Sequence, residues 1–368
     1  MTDKPLMMVP GPVGCRPNVL EALAAQPLHP TDPRYVEVFR RVFKGMRGVF
    51  GAPKGQPVIF NGGGLLAMEA ACASLLEPDD EVLVVDNGFF GEIFIQIIKC
   101  HAKRVTVLIT SFGDRVPTDK VEAELRKGRF KALAFNHVET SSGVKAQIEE
   151  LAAVAQAHGA LTLVDGVSAV GGEVVEQRAW GVDVYCASTQ KALAAPPGLA
   201  LLMLGSRALE ILENRKTLIK GFYLDLRKWV DSMRSYEEGG PPRLVSTPST
   251  NLVMALATSL DDIVTEGISN RIQRHHRIAD VMRSGLVAHG FTLVPKHSSF
   301  FANTVTAAYT PEGAPASNLV KQMAQQGVLI APGIGEYRDQ LVRIGHMGGV
   351  TLEDVKTTLQ AIGQTITH

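Results

Sequence analysis

The chain has 368 residues, 45% of them hydrophobic, and its 37 Lys and Arg are balanced by 37 Asp and Glu. This length leads us to expect two domains around sizeable cores. The charge balance argues against nucleic acid or an anionic membrane as the main partner, and no apolar run reaches the roughly 18 residues of a membrane span.

In chain order, the first informative segment is residues 57–71, where a short apolar strand runs through Gly62, Gly63 and Gly64 into a strong helix-former. Such a turn presents free backbone N–H groups at a helix N-terminus, a seat for a phosphate. It has neither the GK[ST] ending of a nucleotide P-loop nor GxGxxG spacing. Strand-like runs then alternate with amphipathic helical stretches: 81–85, 104–109, 132–135, 161–165, 182–186 and 198–204. That rhythm predicts a mostly parallel sheet with helices on both faces. The run Gly239-Gly240-Pro241-Pro242 breaks it. A helical segment over about 250–290 follows, then short strands at 291–294, 300–307, 328–330 and 341–344, which read as a smaller α+β domain. The expected division is residues 1–250, with segment 1–20 near the active site, and 251–368.

Three residues carry chemistry. Asp165 ends the apolar strand Leu161-Thr162-Leu163-Val164-Asp165, which aims a carboxylate at the crevice where α/β sheets bind ligands. It could also simply cap the following turn. Lys191 lies about 25 residues on, in Ser188-Thr189-Gln190-Lys191-Ala192-Leu193, followed by a Pro-Pro-Gly turn at 196–198. A dry, stiff seat lowers an amine's pKa and makes it a Schiff-base nucleophile. Arg343 stands in the apolar run Leu341-Val342-Arg343-Ile344, where an unpaired charge would be costly.

Together with Pro10-Gly11-Pro12, Asn87-Gly88-Phe89-Phe90-Gly91, Glu139-Thr140-Ser141-Ser142-Gly143-Val144 and Arg343-Ile344-Gly345-His346-Met347-Gly348, these motifs occur in register over essentially the whole chain. In this the chain resembles the class V aminotransferases of fold type I, in the alanine–glyoxylate, serine–glyoxylate and serine–pyruvate branch. The resemblance implies pyridoxal 5′-phosphate as cofactor, with Lys191 holding it covalently and moving the proton. Asp165 would pair with the pyridinium nitrogen and Phe90 stack on the ring, where related enzymes often use tryptophan. Ser141 is expected at the phenolic edge, and Gly63, Gly64, Leu65 and Gln190 around the phosphate. Related enzymes often carry serine and histidine at the positions of Gly63 and Leu65, so contacts there would be made through backbone groups. Thr247 would reach the phosphate of the neighbouring subunit, making a homodimer with shared sites, and Arg343, with Gly11 and Ser141 nearby, would bind the substrate. Read from the residues alone, Phe90 could be a core aromatic and Ser141 an ordinary turn residue.

The expected activity is ping-pong transfer of an amino group from alanine or serine to glyoxylate or pyruvate. Ureidoglycine, aspartate and aminoethylphosphonate remain alternative donors, Arg34 being a candidate second cation and Asn251 a candidate amide partner. A cysteine desulfurase is disfavoured by Gln190, where those enzymes typically have histidine, and by the lack of any cysteine after Cys186. A non-catalytic nucleotide-binding module would leave the Asp165, Lys191 and Arg343 combination accidental. Cys15, Cys72, Cys100 and Cys186 have no CxxC spacing, which favours reduced thiols, and the adjacent His275 and His276 form no metal face on a helix. No metal is expected. Residues 1–6 lack a secretory apolar region and Thr367-His368 is no peroxisomal ending, so a cytoplasmic protein is expected.

Overall fold

The computed structural model describes residues 5–239 and 241–366; Met1 to Lys4, Gly240 of the Gly-Gly-Pro-Pro break and the Thr367-His368 ending lie outside the described residues. Seven strands make the central sheet: β1 (Gln56–Asn61), β2 (Glu81–Asp86), β3 (Arg104–Ile109), β4 (Ala132–Asn136), β5 (Leu161–Asp165), β6 (Val184–Ser188) and β7 (Leu199–Leu204). Their spatial order is β1-β7-β6-β5-β4-β2-β3. Neighbours from β6 to β3 pair in parallel, and β7 pairs antiparallel with both β6 and β1. β2, β4, β5, β6 and β7 are apolar along nearly their whole length because helices cover both faces, which denies them the polar-outward alternation of a half-exposed strand.

The sixth strand begins two residues later than the sequence suggests, since the Asp183 carboxylate is tied to the Thr162 N–H at 2.9 Å and holds residue 183 as a lead-in. Ser188 therefore still belongs to β6, and Lys191 follows three residues after its end. The helical segment from 250 is likewise two helices, α4 (Thr250–Glu266) and α5 (Ile268–Ala288), separated at Gly267, whose φ of +82° suits glycine. Earlier helices used below are α1 (Pro33–Val49), α2 (Gly64–Leu75) and α3 (Phe89–His101). A four-stranded sheet, β8 (Thr292–Leu293), β9 (Val305–Tyr309), β10 (Ala331–Pro332) and β11 (Leu341–Gly345), has the order β8-β9-β11-β10. Residues 298–300 form a short 3-10 turn, so β9 starts later than expected.

Two cores hold most of the buried apolar residues, and two small clusters, one of them including Ala192 and Ala194 beside Lys191, hold others. The larger includes the central sheet, α1, α2 and the Val253-to-Ile263 face of α4; the smaller gathers Ile278, Met282 and Leu286 of α5 with Val342 and Ile344 of β11. Met8 is buried in the smaller core, its carbonyl accepting from Gly345 N at 2.8 Å, while the Val13 N–H donates to the Gln190 carbonyl at 3.0 Å. The N-terminal segment thus spans from the small sheet to the turn that carries Lys191.

Candidate active site

The parallel strands end at one edge, and four of them deliver a polar group there: Asn61 from β1, Asn136 from β4, Asp165 from β5 and Ser188 from β6. This is the carboxyl edge at which α/β sheets bind ligands. Asp165 is only 6% exposed. Its Oδ1 accepts from Val167 N at 2.9 Å and its Oδ2 from Asn136 Nδ2 at 2.7 Å, and it forms no ion pair among the described residues. Burial raises its pKa to about 6, against the Val167, Asn136 and Lys191 contributions.

Lys191 sits on a turn that is held from several sides. Its Nζ donates to the Pro10 carbonyl at 2.5 Å. Burial, with the Arg343 charge acting in the same direction, lowers its pKa to about 8, opposed by Asp165 and Glu139. Gly11 has φ +124°, and a Cβ there would lie 2.6–2.8 Å from the end of the Lys191 side chain, so only glycine leaves the amine its place. Downstream, Arg271 Nη2 donates to Ala192 O at 2.6 Å, Arg271 is ion-paired with Glu266 at 2.8 Å, and the Ser259 hydroxyl donates to Leu193 O. These contacts hold Ala194 at φ +54°, a conformation that costs about 1 kcal/mol or more outside glycine. Sequence reasoning passed over Arg271 and Ser259, which lie about 70 to 80 residues away and become visible only through the packing of α4 and α5 on this turn.

The residues expected around a phosphate take up the N-terminus of α2: Gly63 is its N-cap, and Gly64 and Leu65 open its first turn, where N–H groups have no intrahelical partner. A Cβ on Gly63 would meet nothing within 4 Å, whereas one on Gly64 would strike Val167 at 2.5 Å. Open space therefore lies before the helix end, bounded by the segment that follows Asp165. The Ser188 hydroxyl donates to Gln190 Oε1 at 2.5 Å. That uses the amide's acceptor and leaves its NH2 as a donor. Thr247 is exposed, and its carbonyl accepts from Asn61 Nδ2 at 2.9 Å.

Phe90 lies in the first turn of α3 and Ser141 in the tight turn after residue 139; both meet the Glu139 carboxylate. Beside Ser141 opens a cleft of about 380 Å³, bordered by Gly88, Phe89 and Thr110 on one side and Tyr337 on the other. Arg343, central in β11, has its pKa lowered to about 10 by burial, which Glu139 opposes; its Nε donates to Pro332 O at 2.9 Å, and no ion pair involves it among the described residues. Arg34, by contrast, is bound to its neighbour Asp32 at 2.6 Å at the start of α1, with a 76% exposed side chain. Asn251 is occupied by the carbonyls of Leu23 and Ala25 at 2.7 and 2.6 Å. Both therefore have partners within this chain.

The described cysteines are unpaired, no metal-binding cluster occurs among the described residues, and no described helix is long and apolar enough to cross a membrane. His275 is buried, accepting from Gly348 N at 3.0 Å, so it serves packing.

The family model "Aminotransferase class-V" matches residues 21–336. The L-aspartate–glyoxylate aminotransferase of Paracoccus denitrificans is 30% identical over 95% of this chain and 88% of its own length. Alanine–glyoxylate aminotransferase 1 of Saccharomyces cerevisiae is 30% identical over 93% of this chain and 91% of its own. Among solved structures, the ureidoglycine–glyoxylate aminotransferase of Bacillus subtilis superposes with a TM-score of 0.93 at 26% identity, covering 100% of this chain and 94% of the other.

Proposed function

This chain belongs to the class V aminotransferases, and on that premise we propose that it carries the amino group of alanine or serine to glyoxylate or pyruvate with pyridoxal 5′-phosphate. The observation that carries this reading is the meeting of an amine of lowered pKa, Lys191, with a buried carboxylate that has no cation, Asp165, at one sheet edge. A protonated pyridine nitrogen is the partner such a carboxylate lacks. When bound, the cofactor supplies an aldehyde that takes up the amino group and a ring that withdraws electrons from the reacting carbon.

The protein's own residues do the rest. Asp165 would keep a proton on the ring nitrogen by charge-assisted pairing. Lys191, whose lowered pKa leaves a larger share of free amine near neutral pH than an ordinary lysine has, would hold the aldehyde carbon and carry a proton between the two carbons that exchange the amino group. The N–H groups of Gly63, Gly64 and Leu65, with the NH2 of Gln190, would donate to the phosphate at the positive end of α2. Phe90 would take the ring face and Ser141 its phenolic edge. Arg343 offers Nη atoms free of ion pairs to a substrate carboxylate, and among the described residues it is the one cation acting on Lys191. That favours a donor with a single carboxylate over aspartate, which would need a second cation.

The active unit in this reading is a homodimer in which Thr247 approaches the partner's phosphate seat. Its exposure beside Asn61, with Leu65 (48% exposed) and Leu244 (42%) in the neighbouring segments, supports a surface that a second copy covers. The test is a half-reaction screen: loaded protein is mixed with single amino acids and the change of the cofactor spectrum is recorded. Alanine or serine should convert it within seconds to minutes; conversion by aspartate alone would contradict the monocarboxylate reading.

A further inference from the structure

Glu139 joins the parts of the site through Phe90 and Ser141. It is fully buried at the end of the two-residue strand Val138–Glu139. Its Oε1 accepts from Ser141 N at 3.0 Å and Ser141 Oγ at 2.6 Å, and its Oε2 accepts from Phe90 N and Gly91 N, each at 3.2 Å. One carboxylate therefore clamps the N-terminus of α3 to the turn at 141. The clamp is close-packed: Gly88 has φ +149°, and a Cβ there would lie 2.7 Å from Ser141 Oγ and 3.0 Å from Glu139 Cγ. The charged groups that act on it are Asp165 from β5, Lys191 from the turn after β6 and Arg343 from β11. No cation forms an ion pair with it among the described residues, so its charge is held by four N–H and O–H donors alone.

We propose that Glu139 is a positioning residue of this site: its carboxylate fixes Phe90 and Ser141 relative to each other, and its charge supports the cationic form of the group on Lys191. The inference rests on the function proposed above. It follows from the donor count. A carboxylate has two acceptor oxygens for the two pairs of donors, whereas a glutamine has one, and its NH2 would face N–H groups. An aspartate keeps the charge but is one methylene shorter and cannot reach both sides.

The experiment titrates wild type, Glu139→Gln and Glu139→Asp apoproteins with pyridoxal phosphate. It records affinity and the pH at which the visible band of the bound cofactor changes, with far-ultraviolet circular dichroism confirming the fold. Glu139→Gln should bind about 10- to 100-fold more weakly. Its spectral transition should move to lower pH by about half a unit or more, because an anion near the cation is gone. Glu139→Asp should retain the wild-type transition and still lose affinity. A Glu139→Gln protein with wild-type affinity and transition overturns the proposal, as does a Glu139→Asp protein with wild-type affinity, which decides the matter alone if the glutamine variant does not fold. If wild type itself forms no adduct, the proposed function fails and takes this inference with it.

Discussion

At the scale of single residues, the account turns on how burial sets protonation. Because Lys191 is held near pKa 8, its rate of capturing pyridoxal phosphate should rise with pH to a midpoint about two units below that of an ordinary lysine, measured by stopped-flow absorbance. Arg343→Gln removes a cation that disfavours the ammonium form, so in that variant the midpoint should move up. An unchanged midpoint would show that the two groups do not interact. Asp165→Asn gives up a charge-assisted bond worth roughly 1.5–3 kcal/mol, and amino transfer should slow by more than about tenfold. A near-normal rate would reduce Asp165 to a turn cap. Arg343→Ala should lower kcat/KM for glyoxylate or pyruvate by roughly 30-fold to several thousand-fold while the cofactor still binds, with Arg343→Lys recovering part of the loss. Asp165, Lys191 and Arg343 were legible in the sequence because each is a polar group set against an apolar or rigid run. Asn136 and Glu139 were not, since nothing in their own neighbourhood shows that Asp165 lies one strand away from the first or that α3 begins against the second.

Among the elements, the turn after β6 depends on others to keep its shape. Arg271 is 3% exposed and bonded to Gly171 O, Ala192 O and Glu266. Arg271→Ala strands the Glu266 charge with Arg274 and frees two carbonyls, and it should destabilise the fold by about 3–5 kcal/mol in denaturant titration. Loss of activity without loss of stability would argue against this structural role. Gly11→Ala tests the N-terminal segment: the added methyl must displace Lys191, so cofactor capture should fall severalfold or more with a folded protein remaining. The strands were readable because burial on both faces leaves unbroken apolar runs, and the turn before α2 because glycines interrupt one such run before a helix. The break at Gly267 was less visible, since the residues on either side are equally helical and only the reversal between the two cores demands it.

For the whole molecule, two buried carboxyls give the apoprotein an unusual pH response. Glu139 is raised to about 7 by burial and Asp165 to about 6, both above their unfolded values. Such groups favour folding while protonated, so their contribution is fully present below about pH 4 and is lost as pH rises through 6 and 7. Between pH 5 and 8 these two groups work against His137, His275 and His346, which burial keeps neutral with pKa values lowered to about 3 and which add stability as pH rises, so the carboxyl contribution is read as the difference in pH dependence between wild type and the Glu139→Gln and Asp165→Asn variants. Pyridoxal phosphate should reverse much of this by giving Asp165 a cation, which thermal melts of the apo and loaded forms across that range would reveal. If two copies share their sites, mixing Lys191→Ala with Thr247→Ala chains should restore activity in part of the heterodimers. The measurement that bears most directly on the central claim is reduction of the loaded protein with borohydride followed by peptide mapping, with and without prior L-alanine. The label is expected on the peptide containing Lys191 and should decline after alanine, which moves the amino group onto the cofactor and frees the lysine. A label on another lysine, or none at all, would contradict the account.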